Sequence, residues 1–134
     1  MSNGVSHEKI AGPMTLIFSG NPGTVIKFLL APRSGGRNCK VVQYTVKILE
    51  YHGTGPKLGF IIAHSADGTT PLNHTSAAAT TLTTTAPFQM VFDATAVVNA
   101  TTALGEFLHP IVQLDGAASG DTVTIEVWET RKPF

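Results

Sequence analysis

Alternation of apolar and polar residues at every second position is the feature that most limits what this chain can become. From Asp121 to Thr130, Val123, Ile125 and Val127 alternate with Thr122, Thr124, Glu126 and Trp128. This is the period-two pattern of a strand with one face buried. The pattern recurs over residues 40–52, where Val42, Tyr44, Val46 and Ile48 share a side. It recurs again through Leu58, Phe60 and Ile62, and through Phe88, Met90 and Phe92. No segment repeats apolar residues at helical spacing for three turns. The chain reads as all-β.

Punctuation by Gly and Pro divides the chain further. Residues 1–13 are polar and hold Gly4, Gly12 and Pro13, which reads as an N-terminal arm. Strands are predicted at 14–18, 24–31, 40–52, 57–64, 87–93, 107–115 and 122–130. The adjacent Val41 and Val42 signal a bulge or a change of face. Gly53, Gly55 and Pro56 make the flanking segments the best hairpin candidate. Pro110 sets the strand at 107–115 on an edge or at a bulge. The Thr- and Ala-rich stretch 65–86 reads as a long excursion loop with a short edge strand near Thr80 to Thr85. Residues 94–105 fit a short helix or a crossing loop, and 131–134 form a C-terminal tail. About seven to eight irregularly spaced strands over 14–130 predict a single-domain β-sandwich, jelly-roll or immunoglobulin-like.

Charge narrows the function. Nine basic and nine acidic residues cancel, and only 13% of the chain is charged, about half the usual share for a soluble domain. Balance of this kind argues against nucleic-acid binding, which calls for a basic excess. Sparse charge with abundant Thr, Ala and Gly instead predicts a surface that rests against other protein. Cys39 is the one cysteine, so no internal disulfide is expected. The start of the chain lacks a basic region followed by an apolar core, and no apolar run reaches membrane-spanning length.

Motifs for chemistry are sparse. His7, His52, His64, His74 and His109 are widely spaced and form no metal-ligand pattern; His52 and His64 would meet only across the expected hairpin. No carboxylate pair, nucleophile elbow or phosphate-binding loop stands out, so neither enzyme activity nor a cofactor or metal is expected. Arg33 and Arg37, close to Lys40, concentrate positive charge. They read either as a solubilising loop or as an ion-pair contact to an acidic neighbouring subunit. Trp128 lies opposite the apolar face of its strand, as an interface anchor, a sugar platform or the cap of a second small core. Arg131 and Phe134 complete the candidate interface residues.

Arm, excursion loop and aromatic tail together enlarge the contact area of one compact domain. In overall make-up, carried by residues 1–13, 65–86 and 121–134, the chain resembles small β-rich virion proteins of bacteriophages, especially capsid decoration or cement proteins. The resemblance rests on no motif, so no binding residue is carried over. It implies a structural protein, often a homotrimer, assembled in the host cytoplasm into a virion where it reinforces the shell against the major capsid protein. A glycan-binding module or head-fibre domain is the alternative, with Trp128, Tyr44 and Tyr51 as stacking surfaces.

Overall fold

The computed structural model describes residues 5–19, 25–34, 39–53, 55–65, 72–93, 107–115 and 118–133. All regular structure among them is strand: β1 (Ser6–Ile17), β2 (Ile26–Leu29), β3 (Arg33–Ser34), β4 (Cys39–His52), β5 (Lys57–Ser65), β6 (Leu72–Thr81), β7 (Phe88–Asp93), β8 (Phe107–Asp115) and β9 (Thr122–Pro133). One sheet runs β1-β9-β4-β7; the other runs β2-β8-β5-β6, with β3 also paired to β8. All pairings are antiparallel. Since β2 and β3 follow one another along β8, the sandwich has eight strand positions. Successive strands pass between the two sheets in the order of a jelly roll.

The core lies between the sheets. From the four-stranded sheet, Leu16, Tyr44, Val46, Ile48, Val123, Ile125 and Val127 point inward; Leu58, Phe60, Ile62, Leu108, Val112 and Leu114 meet them from the other. Phe60 ties the layers together, stacked on Phe92 at 5.0 Å between ring centroids and tilted against Tyr44 at 5.5 Å. Ile61, Ala63 and Ile111 form a second buried cluster on the far side of the same strands. This explains the unbroken apolar run of β5, whose two faces are both covered.

Several sequence expectations change. The arm at 1–13 is replaced from Ser6 onward by an edge strand paired along β9, with Ser6 opposite Arg131 and Leu16 opposite Val123. Its polar residues stay on the solvent side, while Ile10, Ala11 and Met14 pack against the core. Alternation is hidden there by two register shifts, one on each side of Ala11. Gly12 sits in that irregularity at φ +90°, and a side chain would run into the carbonyl oxygen of Ile125. Only glycine meets both demands.

The tail is likewise a continuation of β9, with Arg131, Lys132 and Pro133 paired to Val41, Lys40 and Cys39. Most of the described part of the excursion loop is the edge strand β6, which pairs along β5. The free edge of β5 and the strand propensity of threonine outweigh the missing alternation. The hairpin expected around Gly53 does not form: β4 and β5 lie in different sheets, and the turn is a crossover. There Gly53 has φ +133°, with the Asp121 side chain where a Cβ would be.

Pro110 lies in β8, inside its sheet rather than at an edge. Its carbonyl accepts from the Leu30 N–H at 3.0 Å, so its ring nitrogen faces the same neighbouring strand. That neighbour is broken there, between β2 and β3, and no ladder donor is missed. The bulge expected near Val41 does form, between Val41 and Gln43. Residues 94–105 lie outside the described residues.

Candidate functional site

Two places gather polar side chains. The first is inside the sandwich. Continuing the inward series Val123, Ile125, Val127 by one step puts Glu129 on the core side, and it is fully buried. Arg33 of β3 donates to both of its oxygens, from Nε at 3.2 Å and Nη2 at 3.1 Å. Arg131 donates from Nε at 2.7 Å, and the Tyr44 hydroxyl donates at 3.1 Å. Arg33 also reaches Glu8 of β1 at 2.7 Å. One carboxylate thus joins β3, β4 and β9, and through Arg33 the edge strand β1.

The charges there hold each other. Burial by itself raises the Glu129 carboxyl, but hydrogen bonds and charge from Arg33 and Arg131 outweigh it and hold the group below its ordinary range. Burial, followed by the charge and hydrogen bond of Glu129, pushes the Tyr44 phenol well above its ordinary range. The hydrogen bond to Glu129 raises Arg33. A buried acid with two guanidinium partners and a phenol donor is a fastening, with its lone pairs taken up.

The second place is the outer face of the four-stranded sheet. Thr45 in β4 stands opposite Trp128 of β9 on one side and Val91 of β7 on the other. Lys47, two residues on, stands opposite Glu126 and Gln89; Gln43, two residues back, stands opposite Thr130 and Asp93. Small Thr45 among these larger neighbours leaves a shallow depression of ≈ 250 Å³, bordered by Trp128, Lys47, Gln43, Gln89, Thr130 and His7. Lys47 Nζ lies 4.4 Å from the centre of the Trp128 ring, a cation–π contact. Trp128 Nε1 donates to Glu126 at 3.3 Å, and Lys9 pairs with Glu126 at 3.6 Å. His7 Nδ1 is 2.9 Å from Thr130 Oγ1.

The candidate interface residues therefore separate. Trp128 is half-buried on the outer face, as its alternation required. Arg33 and Arg131 turn inward and share Glu129 of the same chain as an acidic partner, with Arg33 also paired to Glu8. Arg37 and Phe134 lie outside the described residues. Sequence reasoning missed Glu129; its signal was a charge in phase with an apolar series. His52 and His64 do not meet across a hairpin, since their strands belong to different sheets; His52 instead lies 3.6 Å from Glu50. Among the described residues, no three His, Cys, Asp or Glu side chains group as metal ligands do. Among the described residues, no helix is long and apolar enough to cross a membrane.

No protein-family model matches the chain, and no curated protein matches it. Among solved structures, a chain from the crystal structure of the T13 IBDV viral particle is similar, with a TM-score of 0.40 and 17% identity. The match covers 97% of this chain and 39% of that one, so this chain spans well under half of its length.

Proposed function

We propose that the chain is a non-enzymatic virion structural protein of the capsid decoration or cement kind. In this reading it binds a shell through contacts with copies of itself and with the major capsid protein. The jelly-roll strand order alone is shared by capsid domains, lectins and cupins, so it leaves these classes open.

What favours assembly is one side wall of the sandwich. The edge strands β1 and β2/β3 lie on the same side, bridged by the ion pair between Glu8 and Arg33. Along that side Ile17, Val25 and Leu29 are 57%, 43% and 61% exposed. Large apolar side chains beside two strand edges are a surface that a partner covers. Meanwhile Arg33 and Arg131 are balanced by Glu129 and Glu8 of the same chain, which leaves a sparsely charged chain with little electrostatic defence against association.

Light scattering across a concentration series tests the reading. A closed oligomer such as a trimer is expected. A monomer at every concentration contradicts self-association, and failure of that monomer to pellet with assembled shells removes the decoration role.

A further inference from the structure

We infer that the depression on the outer face of the four-stranded sheet binds a sugar unit carrying a carboxylate, of the hexuronic or sialic acid class. This goes beyond the assembly reading and does not depend on it. Thr45, its floor, is only 8% exposed, and its hydroxyl has no hydrogen-bond partner among the described residues. A buried hydroxyl without a partner calls for one. The side-chain amides of Gln43 and Gln89 on the rim are likewise free of hydrogen bonds within the described residues. His7 is held through Nδ1 by Thr130, which leaves Nε2 for an outside partner.

These groups set the ligand chemistry. Hydroxyls and amides both donate and accept, which suits the hydroxyls of a sugar ring and exceeds what a bare carboxylate could use. Lys47 supplies the one full charge on the rim. It lies over the Trp128 ring and forms no ion pair among the described residues, although Glu126 stands opposite it in register. Among the described residues the lining holds no carboxylate, and Glu126, bonded to the Trp128 indole, is paired with Lys9, so an anion is admitted there. The volume of ≈ 250 Å³ is below that of a typical drug-sized pocket and fits a single sugar unit better than a chain. Long neutral glycans would call for a row of exposed aromatics. Tyr44 is buried and Tyr51 is half-buried, its hydroxyl donating to the Thr84 carbonyl at 2.9 Å, so stacking along such a row is not the mode here.

Trp128 is the one tryptophan of the chain, so intrinsic fluorescence reports directly on this site. The chain is titrated with N-acetylneuraminic acid, glucuronic acid, glucose and acetate. A saturable change is expected with at least one of the acidic sugars. Glucose should be weaker by about tenfold or more, the loss that goes with one charge-assisted contact. Acetate should be weaker by a similar factor, because it offers the hydroxyl and amide groups of the site no ring hydroxyls. Lys47→Met should weaken the acidic sugar by about tenfold, and Thr45→Val, which keeps shape and strand propensity, by severalfold. Chemical shifts of the Trp128 indole N–H give the same titration without relying on quenching. The inference is overturned by the absence of a saturable response to either acidic sugar. It is equally overturned by acetate matching them, which would mark a plain carboxylate site, or by full affinity in both variants.

Discussion

Tyr44 and Glu129 meet inside the closed sandwich, the phenol donating to Glu129 Oε2 at 3.1 Å with both side chains fully buried. Around this bond Arg33 and Arg131 complete the carboxylate's partners, so an acid lies in the apolar interior without being left unpaired. Replacing Glu129 by Gln leaves two guanidinium groups facing a neutral amide. A loss of about 3–5 kcal/mol is expected, as for removing one member of a buried pair. Tyr44→Phe keeps the ring packing and should cost about 1–2 kcal/mol. Chemical denaturation of the three proteins measures both.

The same cluster sets a pH dependence with a definite sign. Glu129 is held below its unfolded value, so its contribution is present above about pH 4.3, where the unfolded carboxyl ionises. It is lost as pH falls through the folded value. Tyr44 is raised above its unfolded value, so its contribution is present below about pH 10 and lost as pH rises beyond that. Thermal melts against pH should show an acid decline that Glu129→Gln flattens. The alkaline decline should be flattened by Tyr44→Phe.

Gly12 should not tolerate a side chain. At φ +90°, with the Ile125 carbonyl in the way, Gly12→Ala should cost about 1–3 kcal/mol, the usual range for a strained backbone position. The damage should stay local, as faster amide exchange along β1 and its partner β9.

Trp128 packs on the outside of the sheet, with its ring under Lys47. Truncation to Ala should therefore cost about 1 kcal/mol, well short of the ~3–5 typical of a core aromatic. A loss in the larger range would mean that this face is covered in the folded chain.

The fold was legible wherever one face is apolar and the other polar. β4, β7 and β9 could be read directly, and Val41 beside Val42 marked the bulge. Of β1 only the part after Pro13 was legible, as the strand predicted at 14–18, because two register shifts around Gly12 break the alternation that would have revealed the rest. β6 was hidden because its alanines and threonines suit either face, and its pairing depends on the distant edge of β5. The pairing of β4 with β5 was misjudged because a Gly-Pro turn looks alike in a hairpin and in a crossover between sheets.

Of the two polar places, Arg33, Arg131 and Trp128 stood out as residue types. That two of them close on Glu129 follows from the packing of β3 against β9, which local sequence does not encode. Since β1 is a strand from Ser6, removing residues 1–13 should lower folding stability as well as assembly, measurable by denaturation of the truncated chain.

The most direct test of the assembly surface is the solution mass, by light scattering, of the chain beside its Ile17→Asp and Leu29→Asp variants. Both side chains are largely exposed, so each variant should keep the parent melting temperature while the oligomer falls apart toward the monomer mass. An unchanged oligomer mass in both variants, with the fold intact, would contradict the side wall as the surface through which this protein assembles.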